Sequence, residues 1–156
     1  MRILCLDYGG RSVGVAVSDP TGTIVSPVET IWREDPVNLK KTVRRIRSLC
    51  EEYDTHLILI GLPLNMDGTE GESAEKVRAF GHRIERDVYL SKVAFWDERL
   101  STWEAEGEMI EKGIKGWKKR KETVDQLAAV IILESYLNAV AEGKVTDAFT
   151  GTIIGS

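Results

Sequence analysis

Arg2-Ile-Leu-Cys-Leu-Asp7 is a continuous apolar run closed by an acid, and Gly9 and Gly10 follow almost at once. Uninterrupted apolar residues mark a strand buried on both faces, and the glycine pair marks the turn that ends it. Ser12-Val-Gly-Val-Ala-Val-Ser18 then alternates apolar with small residues and runs into Asp19-Pro-Thr-Gly22, a second turn signal. With residues 23–32 as a third strand, the chain opens as an antiparallel meander. Asp7 stands at the end of its buried first strand, where a carboxylate needs a partner.

Outward from the meander, the pattern changes to strands alternating with helices. Asp35 and Pro36 read as an N-cap and a first helical residue, and Leu39, Val43, Ile46, Leu49 and Tyr53 recur at helical spacing behind them. Leu57-Ile-Leu-Ile60 is a short buried strand ended by Gly61, so the connection back from the meander is a parallel crossover. A polar loop, Leu62-Pro-Leu-Asn-Met-Asp-Gly68, precedes Thr69 and Glu72, whose capping-box spacing predicts a helix to about Asp87 with Ala74, Val77, Phe80 and Ile84 inward. Residues 92–96 form a fifth strand. Ser101 and Glu104 predict a helix ending at Gly113, residues 114–121 a basic loop, and residues 122–142 a last helix whose all-apolar segment 127–133 packs on the sheet. The fold class is α/β: a mixed five-stranded sheet, three antiparallel strands and then two parallel, flanked by helices. Residues 1–144 make one domain, and 145–156, which show no periodicity, a loosely ordered C-terminal tail.

Composition agrees with a single globular domain: 156 residues, 42% hydrophobic and 29% charged. Cys5 and Cys50 lie in apolar patterns and read as core thiols rather than a disulfide or zinc framework. No apolar run approaches the roughly 20 residues that cross a bilayer, so a cytoplasmic location away from membranes is expected. The net charge of −4 argues against a protein that coats nucleic acid non-specifically and turns attention to local clusters of Lys and Arg.

Three acidic positions are expensive or oddly placed: Asp7, the pair Asp97-Glu98 closing the fifth strand, and Asp125 just ahead of the apolar helical segment. If the first and fifth strands are neighbours and the last helix packs beside them, the acids converge at the C-terminal edge of the sheet. Oxygen-only ligands of this kind suit Mg²⁺ or Mn²⁺, and two such ions about 4 Å apart activate water for phosphodiester hydrolysis. Neighbouring strand residues face opposite ways, so one of Asp97 and Glu98 reaches the ions; Glu98 is preferred. For any one of these acids a turn or helix cap is the competing explanation.

Residues 114–121 carry Lys115, Lys118, Lys119, Arg120 and Lys121 with Trp117 among them and no acid, a composition suited to phosphate contact and base stacking. A solvated loop is the plainer alternative, and adjacency to Asp125 favours nucleic acid. Lys40, Lys41, Arg44, Arg45 and Arg47 lie opposite the apolar stripe of their helix and read as a solvated face. Asn65, Asp67, Gly68 and Thr69 offer backbone N–H groups toward a phosphate, or ordinary turn chemistry. Arg99 serves either a carboxylate or a phosphate. Trp32, Phe80 and Trp96 are assigned to the core, and His56 and His82 have no partner at ligand spacing.

Leu6-Asp-Tyr-Gly9 with Val13-Gly-Val-Ala-Val-Ser-Asp19, then Gly61-Leu-Pro-Leu-Asn-Met-Asp-Gly-Thr-Glu-Gly71, Asp97-Glu-Arg-Leu-Ser-Thr102, and Lys121 with Asp125, Ala128, Ala129 and Leu133 carry a further signal. In that order, over roughly residues 2–140, the chain resembles the bacterial YqgF (RuvX) family. The resemblance implies an RNase H-like fold and phosphodiester cleavage, either in processing the 5′ end of pre-16S rRNA or, by analogy with RuvC-type enzymes, in resolving Holliday junctions. It maps the family's acidic site on to Asp7, Asp97-Glu98 and Asp125. The family's Gly-Thr-Lys-Arg after the first aspartate is here Gly9-Gly-Arg-Ser12, which keeps one basic residue, Arg11, and loses another.

The resulting expectation is a hydrolase, a Mg²⁺- or Mn²⁺-dependent endonuclease. Asp7, Glu98 and Asp125 serve as catalytic metal ligands, and Arg11, Arg99, Lys115, Trp117, Lys118, Lys119, Arg120 and Lys121 hold nucleic acid. The expected partners are pre-16S rRNA or branched DNA, together with ribosomal precursor particles; no feature marks a dimer face. An ATPase of the actin type shares the Asp-x-Gly opening, but a single domain of this length cannot close around a nucleotide as a pair does. A non-catalytic RNA-binding module is opposed by three costly acids.

Overall fold

The computed structural model describes residues 2–33, 35, 38–88, 91–100, 116–143 and 153–154. The opening apolar run is β1 (Arg2–Tyr8), an interior strand. It pairs antiparallel with β2 (Ser12–Ser18), Asp7 opposite Gly14, and β2 pairs antiparallel with β3 (Val25–Trp32). The third strand begins at Val25 rather than at residue 23 because the Asp19 carboxylate accepts the backbone N–H groups of Thr23 and Ile24, drawing both into the turn. On the other side of β1 lie β4 (Thr55–Leu62) and β5 (Lys92–Asp97), both parallel, giving the expected five strands in the expected senses. A sixth, β6 (Ile153–Ile154), adds parallel to β5 opposite Phe95 and Trp96. It falls in the stretch expected as tail, and pairs backbone groups that β5 would otherwise present as an open sheet edge.

Helices cover both faces. Strand alternation turns Leu4, Leu6, Ile58 and Ile60 toward α1 (Lys40–Tyr53) and α2 (Glu72–Asp87), where they pack with Val43, Ile46, Val77 and Phe80. Ile3, Cys5, Leu59 and Trp96 face the other way, against Ala129, Ile132 and Leu133 of α3 (Trp117–Ala141). Both cysteines are buried free thiols. By length and composition α3 could cross a bilayer; here its apolar residues pack on the sheet.

The helix starts depart from expectation. α1 begins at Lys40, whose N–H meets the Asn38 side chain, and not at Asp35-Pro36. α2 begins after Gly71 with no side-chain cap, because both the N–H and the hydroxyl of Thr69 are taken by Asp67. α3 begins at Trp117 rather than residue 122, so residues 117–121, expected as loop, are helical. The helix expected over 101–113 and most of the tail lie outside the described residues.

α3 approaches β2 more closely than any side chain would permit. A Cβ built on Gly14 would stand 2.0 Å from the Asp125 carbonyl oxygen and 2.4 Å from its carbon. Gly14→Ala must therefore push α3 off the sheet, and we expect a loss of about 3 kcal/mol of stability, read as a lowered denaturant midpoint at unchanged m-value.

Candidate active site

β1 and β5 are not neighbours, as their convergence had seemed to require; β4 lies between them. A glycine closes the gap. Gly61, near the end of β4, leaves bare backbone where a Cβ would stand 2.7 Å from Glu98 Oε1, 2.9 Å from Glu98 Cγ and 2.8 Å from Ile132 Cδ1. The Glu98 side chain thus lies across β4 and meets the Asp7 carboxyl in a side-chain hydrogen bond.

That contact is electrostatically loaded. Desolvation, with Asp125 as the next contributor, pushes Asp7 from 3.8 up to about 6, against the lowering effects of the Glu98 hydrogen bond and Lys121. Desolvation and the charge of Asp7 push Glu98 further, from 4.5 up to about 8. Both shifts run upward and favour a proton shared between the two carboxyls. Both side chains keep some surface open to an adjoining cleft, while protein atoms crowd the rest.

Asp97 does different work. Fully buried, it accepts the Arg99 N–H at 2.9 Å and the Arg99 guanidinium at 3.1 Å from Nε and 2.8 Å from Nη2, holding the 3₁₀ turn Glu98–Leu100. Arg99 Nη1 also donates to the carbonyls of Asn65 and Met66. Its guanidinium, expected on nucleic acid, is committed to the turn and to the loop after β4. Glu98, not Asp97, faces Asp7.

Asp125 is 5% exposed and fixed from two sides: Ser12 Oγ donates to Oδ2 at 2.5 Å, and Lys121 Nζ, one helical turn back, donates to Oδ1 at 2.8 Å. It is near enough to raise Asp7 but turned toward its own partners. Among the described residues no three His, Cys, Asp or Glu side chains stand close enough to share one metal ion. The three acids are thus a contacting pair and a nearby, neutralised third.

Of the residues expected on nucleic acid, Arg11 is exposed in the β1–β2 turn, and Lys118, Lys119 and Arg120 are exposed on the first turns of α3. Trp117 is 69% exposed, edge-on to Trp32 with centroids 6.4 Å apart, and Lys118 Nζ lies 5.2 Å from the Trp32 ring centre. Trp32, expected in the core, is only partly buried and donates from Nε1 to Glu122 at 2.7 Å. Phe80 and Trp96 are core residues. Lys121 serves Asp125, and Lys115 lies outside the described residues. Sequence reasoning passed over Gly14, Gly61 and Ser12; a glycine inside an apolar strand, a mark of close approach, is the signal that finds the first two.

Comparison with known proteins places this geometry in context. The family model of RuvX, described as a Holliday junction resolvase, matches residues 1–139. A protein of Agathobacter rectalis named "Putative pre-16S rRNA nuclease" is 43% identical over 144 residues, covering 92% of this chain and 99% of its own. One of Clostridium beijerinckii with the same name is 44% identical over 141 residues, covering 90% and 99%. Among solved structures, T. thermophilus RuvC in complex with a Holliday junction substrate superposes with a TM-score of 0.59 at 15% identity, covering 92% of this chain and 97% of that one. At that identity the likeness concerns the fold, and RuvC supports the RNase H-like assignment.

The raised carboxyls make stability depend on pH. A carboxyl whose pKa is higher folded than unfolded stabilises the fold while protonated, and that stabilisation is lost as pH rises through the folded value. For Asp7 the loss runs from 3.8 to about 6 and for Glu98 from 4.5 to about 8. In EDTA, the melting temperature should fall between about pH 4 and about pH 8, and the fall should be shallower in Glu98→Gln. Equal slopes for wild type and variant in thermal melts would refute the shared proton.

Proposed function

The chain belongs to the RuvX family, and from that premise we propose that it is a metal-dependent endonuclease hydrolysing phosphodiester bonds, acting in processing of the 5′ end of pre-16S rRNA during ribosome biogenesis. The observation that carries the reading is the Asp7–Glu98 contact: two crowded carboxyls brought together across Gly61 at the C-terminal edge of the sheet.

Hard oxygen donors that repel each other suit Mg²⁺ or Mn²⁺, which Asp7 and Glu98 would hold, and Asp125 would complete the ligand set by turning from Ser12 and Lys121. Such an ion would acidify an attacking water and neutralise the charge gathering on the phosphate. The chain's own residues prepare the rest. Ser12 and Lys121 hold Asp125 in place and balance its charge. Arg99 anchors Asp97 and the loop after β4, so that Glu98 keeps its path over Gly61. Arg11, Lys115, Lys118, Lys119 and Arg120 attract the backbone of the substrate strand, and Trp117 offers an exposed ring for a base. The substrate class puts the action in the cytoplasm, on ribosomal precursor particles. A four-way DNA junction is the second reading, favoured by the description of the family model.

Labelled pre-16S RNA and a four-way DNA junction, incubated side by side with Mg²⁺, Mn²⁺ or EDTA, test both. We expect metal-dependent cleavage of the RNA that falls about a hundredfold or more in Asp7→Asn. Cleavage of the junction alone would move the substrate to DNA, and Asp7→Asn at wild-type rate would remove Asp7 from the chemistry. Trp117→Ala should weaken RNA binding by about 1–3 kcal/mol, and Lys118→Ala with Lys119→Ala should flatten the salt dependence of binding. Fluorescence anisotropy across a salt series reads both.

A further inference from the structure

A cleft of about 740 Å³ opens beside the carboxylate pair. Asp7 and Glu98 line one end; from there it passes over the edge of the sheet on to the face covered by α1 and α2. Its size falls within the range of sites that enclose small organic ligands, and the cleavage chemistry makes no use of it.

The walls are of two kinds. Tyr8, the residue after Asp7, points to the α1 and α2 face and stacks on Phe80 with ring centroids 4.1 Å apart at 23°. Arg33 fixes it there: the guanidinium lies 4.5 Å from the Tyr8 ring centre, donates to the Tyr8 hydroxyl at 2.5 Å and also donates to the Gly9 carbonyl. Leu39 and Val77 continue the apolar lining. Lys76 and Arg83, two turns apart on one face of α2, supply positive charge. Each has only a partly or fully exposed acidic neighbour on the same helix, Glu72 at 3.5 Å and Asp87 at 3.3 Å, interactions too weak to hold either cation from a phosphate.

A partly apolar slot edged by Tyr8, with acids at one end and cations along its side, has the chemistry of one nucleotide. We propose that the cleft receives a single unpaired nucleotide of the substrate strand, adjoining the phosphodiester at Asp7 and Glu98, with its base against Leu39, Val77 and the edge of Tyr8 and its neighbouring phosphate near Lys76 and Arg83. The proposal rests on the nuclease reading of the same site. A base held in a duplex stack cannot enter without being unpaired, so the cleft selects strands whose bases are already splayed.

The test reads binding rather than cleavage. A short single-stranded RNA carrying one fluorescent purine analogue, and the same strand fully paired to its complement, are titrated in EDTA and in Ca²⁺. Ala79→Trp, at an exposed helix position lining the cleft, fills it, and Lys76→Glu with Arg83→Glu reverses its charge. We expect the analogue's fluorescence to be quenched in the wild-type complex with the single strand. Both variants, shown to be folded by thermal melts, should weaken single-strand binding about tenfold while changing duplex binding by about twofold or less. Equal losses on both ligands, unaltered single-strand binding, or no single-strand binding by the wild type would each overturn the pocket. The acidic pair is untouched in both variants, so cleavage that persists without selective binding overturns the pocket alone. Selective binding without cleavage by the wild type overturns the nuclease reading alone.

Discussion

Asp7 lies on β1 and Glu98 in the turn just past β5, strands that do not touch, and one hydrogen bond spans the strand between them. Two carboxyls brought out of water repel unless something positive stands between them, and burial with their mutual charge raises both toward the protonated form. Much of the architecture serves this contact. β4 must carry no side chain at residue 61, the turn after β5 must redirect the chain so that residue 98 points inward, and Asp97 must anchor that turn from within the core. Removing any of these supports displaces a carboxylate that the surrounding packing gives no other place to go.

The second constraint is the seating of α3. With the Asp125 backbone pressed on to Gly14 of β2, the acid cannot slide along or away from the sheet, and Ser12 of the same strand grips its carboxylate. Position is thus set by backbone contact, the stiffest kind available, and orientation by a hydroxyl and an ammonium. The pair and the third acid are held by different means: the pair by mutual need, the third by packing.

The strands were legible because apolar runs with glycine-marked ends leave few choices, and alternation along β1 put Asp7 and Tyr8 on opposite faces. The helix starts were not, because capping residues have rivals: Thr69 had the right spacing to Glu72 but bonds Asp67 instead. The choice between Asp97 and Glu98 was beyond strand periodicity, since the strand stops at Asp97 and alternation no longer governs the residue after it. Gly61 was read as the end of a strand that in fact continues to Leu62; its use depends on a glutamate that reaches it only after α2 and β5 have been traversed. Arg33 carried no motif at all, and its importance comes from the ring it covers.

α3 runs unbroken from Trp117 to Ala141, with the exposed ring at its first residue and Asp125 two turns further on. In a continuous helix that separation is fixed by the rise per residue, about 12 Å over eight residues. On the proposed nuclease reading, a strand that engaged both would be held against a ruler: the bond presented to the acids would lie at a set distance from the stacked base, whatever the letters between them. Such a device would measure length rather than read sequence, and would leave the choice of site to the shape of the strand that reaches it.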